Sequence, residues 1–255
     1  MKTREGLVGI ADTRVTSGSE RITARKVTIH GHSRHSMFLM TSGLRSVRDK
    51  ALTYFEETIE ESDETFDRLY KAVNRFGEQI RRVAREDKEA LADAGLHFNL
   101  YAIVGGQLER DEEHKLYLLY PQGNWVEVGQ NSPYVIIGES GYGKPVFDRI
   151  LDYEASMAVA LKTGFLAFDA TRTSATDVDF PIDVVLYRRD SYQIIEHRYE
   201  RRDLAHISKW WQQRLKDAVD QMPAAWLDDA LGKTPAEQAQ DEPVPQPPPT
   251  EPVNR

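Results

Sequence analysis

Two residues of opposite charge carry the first chemical signal. Asp12 closes the apolar stretch Gly-Leu-Val-Gly-Ile-Ala-Asp at residues 6–12, and Lys26 opens the next apolar stretch after a loop. If both stretches are strands, carboxylate and ammonium hang together at one end of a sheet. Such a pair can be a structural ion pair flanking a loop. It can equally depress the pKa of a neighbouring hydroxyl and prepare it for nucleophilic attack. The residues alone leave both uses open.

Two other clusters invite chemistry and carry less. "GESGYGKP" fits the G-x-x-x-x-G-K frame of a phosphate loop from Gly138 to Lys144, but Pro145 stands where a hydroxyl should hold magnesium. No acidic strand partner for a metal follows it. A glycine-rich turn with Pro145 starting a helix accounts for the same residues. "HGHSRH" places His30 and His32 on one side of a strand with His35 nearby, yet no third and fourth ligands are identifiable. No metal and no cofactor is expected.

The elements that must position these residues follow from periodicity. Residues 6–12 read as a strand and "TSGSE" as a loop. "KVTIHGHSRHSMFLMTSG" reads as two strands around a polar turn. Val47, Ala51, Tyr54, Phe55 and Ile59 recur at helical spacing, with Ser42 or Ser46 as the cap. A second helix is expected from about Glu64 to Ala94, ended by Gly95. Strands return in "HFNLYAIVGGQ", "HKLYLLYPQGNWVEVG" and "PYVIIGE", with "YPQGN" as a hairpin turn. Helices over "GKPVFDRILDY" and "SMAVALKTGFLAFDATRTS" precede the hairpin "PIDVVLYRRDSYQIIEHRYE" and the amphipathic "AHISKWWQQRLKDAVDQM". Antiparallel hairpins alternating with paired helices predict an α+β fold of two stacked sheets covered by helices. Residues 1–231 form one domain in this reading, and the proline-rich residues 232–255 a disordered tail.

Composition narrows the partners. A net charge of −8 over 255 residues argues against a general nucleic-acid binder or an anionic-membrane binder. The absence of cysteine removes disulfides, thiolate metal sites and cysteine nucleophiles. No apolar run is long enough to span a bilayer and no signal-peptide core opens the chain, so a cytoplasmic location is expected.

"GLVGIADTR", a short loop with "RKV", and a strand leading to "TSG" and a helix resemble the opening of proteasome-type β subunits. "IGESGYGKPVFDRIL" and "FDATRTSATDVDFPIDVVLY" resemble the Anbu (ancestral β subunit) branch of that family of N-terminal-nucleophile hydrolases. The likeness runs from about residue 5 to 220. It implies a four-layer αββα sandwich, assembly of identical subunits into rings or helical arrays, and threonine-type hydrolysis of peptide or protein substrates. Lys26 would lower the nucleophile's pKa, Asp12 would orient Lys26, and the Gly43 amide would donate in an oxyanion hole. Ser140 would contact the nucleophile's amine. The remaining acidic position falls in "DATRTS", where Asp169 and Thr171 both stay open, with Ser174 beyond them. Arg45 would line the specificity pocket and favour acidic or polar side chains.

The family's threonine heads a strand of the form Thr-x-x-x-Gly-x, and here only Met1 to Arg4 precede the matching Glu5-Gly6. The nucleophile is therefore expected about five residues upstream of Met1, with the start assigned at an internal methionine. Thr3 stands too close to the turn to replace it. The alternative is a non-catalytic structural subunit of a proteasome-like assembly.

Overall fold

The computed structural model describes residues 1–17, 20–61, 66–224, 226, 227 and 231. The expected proline-rich tail and the expected helix start at Glu64 lie outside them. Residues Met1–Ser208 form one compact unit, and Lys209–Arg255 a second. Among the described residues no helix is long and apolar enough to cross a membrane.

Two antiparallel sheets face one another in the first unit. The four-stranded sheet has the order β1 (Lys2–Thr3), β2 (Gly6–Asp12), β10 (Ile182–Arg188), β11 (Ile194–Tyr199). The five-stranded sheet runs β5 (Val27–His32), β6 (His35–Gly43), β7 (Leu100–Gln107), β8 (Lys115–Leu119), β9 (Trp125–Glu127). Leu7, Val185 and Tyr187 of the first meet Val27, Phe38, Met40 and Leu116 of the second in a shared core. The alternate residues of each strand turn outward, as a period of two requires. Met37 and Leu39 pack under α1 (Arg45–Glu61) and α2 (Leu69–Asp93). Val8 meets α3 (Lys144–Ile150) and α4 (Met157–Ser174), and Ile182 and Val184 pack with Phe165 and Phe168 of α4. The result is the expected αββα layering.

Several elements depart from the sequence reading for local reasons. A two-stranded hairpin, β3 (Arg14–Ser17) with β4 (Glu20–Thr23), stands where only a loop was expected. α2 begins at Leu69 rather than near Glu64, because Asp111 accepts the Leu69 amide at 2.9 Å and so caps the helix from 42 residues away. α1 begins at Arg45, one turn position past Ser42 and just before Ser46, so neither serine holds the cap position. Residues 133–139, expected as a strand, form no ladder; Pro133 accepts the Lys2 amide at 2.7 Å. α5 (Arg201–Asp220) closes the element order.

Candidate functional site

The β1–β2 turn fixes everything downstream of it. Gly6 adopts φ +153°, and a Cβ there would lie 2.0 Å from the Tyr187 carbonyl oxygen, so only glycine lets the chain reverse against β10. The turn sets a register in which Lys2 faces Leu7 and Thr3 faces Gly6. Met1 completes it: its amine donates to the Val8 carbonyl at 2.9 Å and its carbonyl accepts the Val8 amide at 3.0 Å. Strand alternation then aims the backbone groups of Ile10 and Asp12 toward the same side, beyond the point where β1 starts.

That side is open. A cavity of about 480 Å³ lies there, bounded by Met1, Gly9 to Asp12 of β2, Lys26, Thr41 to Gly43 of β6, and residues 135–139. It is a slot between the free edge of β2 and the segment after Pro133. Asp12 and Lys26 stand on its wall, joined at 2.7 Å between Oδ1 and Nζ. The second carboxylate oxygen of Asp12 accepts the Arg14 amide at 3.1 Å. Burial pushes the Asp12 carboxyl up, and the Lys26 ammonium opposes that shift. Burial pushes the Met1 amine, which donates to the Val8 carbonyl, down to about 5.

β6 supplies the third component. The Thr41 amide donates to the Lys26 carbonyl at 3.1 Å, the last rung toward β5. Two residues later the Gly43 amide points the same way, past the start of β5 and toward the cavity. Gly43 has φ +132°, and a Cβ there would lie 2.1 Å from the Asn99 carbonyl oxygen. Leu44 then donates to that carbonyl at 2.9 Å, and α1 begins. The arrangement couples an ion pair, an inward backbone donor and a channel shaped for extended chain.

The other expected residues divide. Arg45 lines the cavity, its Nε lying 3.3 Å from Asp49. Thr171 also lines it, with its hydroxyl donating to the Ala167 carbonyl at 2.8 Å. Ser140 is exposed and outside the lining, although Gly138 and Glu139 beside it belong to the wall. Asp169 is buried away from the cavity, accepting from Arg172 at 2.8 Å and from the Ser208 hydroxyl at 2.7 Å. Ser174 ends α4. Thr3 is buried at the closed end of the hairpin, its hydroxyl donating to the Gly6 carbonyl at 3.2 Å. Sequence reading missed Thr41, whose buried hydroxyl on the cavity wall has no partner among the described residues. Its signal was a polar residue inside the apolar run "MFLMTSG".

The competing clusters are otherwise occupied. Lys144 of the glycine-rich stretch donates to both carboxylate oxygens of Asp148 and to the Tyr134 hydroxyl, so its charge is committed to its own helix. His30 packs edge-on against Phe55, 5.9 Å between ring centres, and burial lowers its pKa. Among the described residues no group of three or more His, Cys, Asp or Glu is placed to hold a metal.

No family model and no curated protein matches the sequence. Solved structures do match. An Anbu (ancestral beta-subunit) protein from Yersinia bercovieri is 28% identical, with a TM-score of 0.81 over 88% of this chain and 96% of that one. An Anbu (Gly-1) mutant from Hyphomicrobium sp. strain MC1 is 28% identical, with a TM-score of 0.80 over 87% and 96%. The helical assembly of the Anbu complex from Pseudomonas aeruginosa matches at 27% identity and a TM-score of 0.82 over 88% and 95%. This is an Anbu-type, proteasome-like fold. The Anbu-type architecture thus places Asp12, Lys26 and Gly43 around one slot, and leaves Ser140 and Asp169 off its wall.

Proposed function

We propose that the slot is the active site of a self-assembling, threonine-type amide hydrolase. The observation that carries this reading is the register of β1 against β2. Paired positions there add to nine, so residues preceding Met1 would continue along the slot, and the fourth and fifth of them would face Asp12 and Thr13. A threonine delivered there stands beside Lys26 and within reach of the Gly43 amide.

The chemistry then follows from the groups present. The threonine Oγ adds to the substrate's carbonyl carbon, its proton passing through water to the threonine's own α-amine. Lys26 favours the hydroxyl's ionised form, and Asp12 holds Lys26 in place. The developing oxyanion accepts a hydrogen bond from the Gly43 amide. The amide C–N bond breaks, the leaving amine takes the proton, and water hydrolyses the resulting ester to free the threonine. An extended substrate would lie along the cavity in the manner of an added strand. Likeness to a helically assembled Anbu complex supports self-association of this chain.

The test is the protein produced from its native locus, with its first residue read by intact mass and its turnover measured on peptide amides. A mature amino-terminal threonine that becomes acylated in a single turnover is the expected result. A mature chain without an amino-terminal threonine, serine or cysteine overturns it and leaves a structural subunit.

A further inference from the structure

Three hydrogen bonds pin the short connection that carries Lys26. The Ala24 amide donates to the Thr13 carbonyl at 2.8 Å, and the Lys26 carbonyl accepts the Thr41 amide at 3.1 Å. Between them the Arg25 carbonyl accepts from Nη1 of Arg48 at 3.1 Å. Two of these pins join backbone to backbone and need no particular side chain. The third depends on one residue of α1.

Arg48 stands in the first turn of α1, where the helix dipole is positive and a cation is disfavoured. Arg45 shares that turn, and no acidic residue does. Asp49 answers both: its Oδ1 accepts from Nε and Nη2 of Arg48 at 2.8 and 2.6 Å, and its Oδ2 from Nε of Arg45 at 3.3 Å. The two guanidinium side chains differ in burial, with Arg45 51% exposed and Arg48 only 13%. Helical side chains lean toward the start of their own helix, so Arg48 is carried back toward the Gly43 turn, where it lines the slot. A local rule broken at one spot, with the offending group sunk beside a cavity, points to a use there rather than to helix stability.

The place it bridges suggests that use. The pairing of β5 with β6 runs from His32 and His35 to Val27 and Met40, and its last rung is the Thr41 amide on the Lys26 carbonyl. Beyond that rung one chain turns through Gly43 and Leu44 into α1, and the other leads back to the β3–β4 hairpin. Lys26 and the Gly43 donor therefore stand where the two strands part, and Arg48 reaches back across the gap. The Arg25 side chain is held as well, donating to Glu196 of β11 at 2.5 Å. Displacement of this connection would carry the Lys26 stem, and the ammonium on it, away from Asp12. The bond from Arg48 opposes that displacement.

On the reading of the slot as an active site, we propose that Arg48 is a positioning residue, which holds the peptide before Lys26 and so fixes the ammonium relative to the Gly43 donor. The experiment uses the full-length protein with its mature amino terminus, steady-state kinetics on peptide amides, and urea unfolding to confirm that each variant is folded. Arg48→Met keeps the apolar stem and removes the donor. It should lower kcat by about tenfold to a hundredfold, the cost of a small misplacement, and leave KM within about threefold. Arg48→Lys keeps a charged donor for the Arg25 carbonyl and should recover most of that loss. In a Lys26→Ala background the Arg48→Met change should cost less than about threefold, because its effect passes through a group no longer there. An arginine that serves stability alone would leave kcat of the folded protein unchanged, and that result overturns the proposal. So does a raised KM with kcat unchanged, which makes Arg48 a substrate contact, or the full loss repeated in the Lys26→Ala background. In each of those cases Lys26→Ala still suppresses turnover and the active-site reading stands. If Lys26→Ala turns over like the parent, that reading falls and takes the role of Arg48 with it.

Discussion

The β1–β2 hairpin has two ends built on opposite principles. At the closed end the charged and backbone groups find partners inside the protein, and His114 Nδ1 is the exception. Lys2, 2% exposed, donates to Glu113 at 3.1 Å, and the buried ring of His114 meets the Thr3 carbonyl at 2.8 Å. The Arg189 amide reaches the Glu5 carbonyl at 2.9 Å, beside the Gly6 turn. At the open end Asp12 and Lys26 satisfy each other, but the Gly43 amide, the Thr41 hydroxyl and the free edge of β2 face a cavity. Unsatisfied polar groups at a protein's interior wall are costly unless something binds there. The contrast teaches a division of labour: the closed end holds the register, and the open end is where that register delivers chain. Substitutions at the two ends should therefore leave different signatures.

The largest effect belongs to the open end. Lys26→Ala in the assembled protein with its mature amino terminus should lower amide turnover by about a thousandfold, the scale of losing a group that sets a nucleophile's protonation state. Folding should lose only about 1 kcal/mol, because Asp12 keeps its bond from the Arg14 amide. A variant that retains turnover within about tenfold, on the same acid–base scale, removes Lys26 from the chemistry.

Gly43→Ala comes next, and it joins the two signatures. A Cβ placed 2.1 Å from the Asn99 carbonyl oxygen must push β6 from β7 at the start of α1. Strain of that kind with φ +132° should cost about 3 kcal/mol of stability and turn the backbone donor away from the slot. Urea unfolding reads the first and turnover the second. A stable but inactive variant would show that the amide's direction, rather than the packing, is what glycine protects.

The closed end answers through stability alone. Glu113→Ala strands the buried Lys2 ammonium and should cost about 2–3 kcal/mol, toward the low end for breaking a buried pair because Glu113 is 27% exposed. Lys2→Met keeps the volume and leaves Glu113 with Lys115 at 3.5 Å, so it should cost under about 1 kcal/mol. Equal costs for the two variants would mean that Lys2 reaches water and that this end is not closed.

The two ends also differed in how far the sequence betrayed them. Asp12 and Lys26 were legible because each sits at the boundary of an apolar stretch, and strand geometry then brings them together. Gly43 was legible through its likeness to a family motif, and its need for glycine became physical only with Asn99 in place. The layering followed from element order, since hairpins and helix pairs pack in few ways. The closed end was invisible: nothing local marks Lys2 as buried, or Glu113 and His114, over a hundred residues away, as its neighbours. The early start expected for α2 failed for the same reason, with the cap coming from Asp111. Residues 133–139 looked like a strand by composition, but a strand needs a neighbour, and the space beside them is the slot.

The smallest effect tests whether the closed end is held by a neutral histidine. Burial lowers the His114 pKa, the nearby Lys2 ammonium lowers it further, and the Thr3 carbonyl and Glu113 work against them; the Arg189 charge also disfavours protonation. The folded protein therefore keeps His114 neutral at pH values where the unfolded chain, with an ordinary value near about 6.5, takes up a proton. Stability from this group is complete above that value and declines as pH falls below it. The slope is at most about 1.4 kcal/mol per pH unit for one proton, until the folded-state value is reached. His30 has the same sign of shift, so the parent's curve contains both. His114→Gln keeps a donor for the Thr3 carbonyl and does not titrate, and the difference between the two urea-midpoint curves isolates the one ring. That difference should be flat above about pH 7 and should narrow in favour of the variant as pH falls. A difference that stays constant down to about pH 5 would show that His114 is protonated as easily in the fold as in the open chain, and that the closed end admits charge after all.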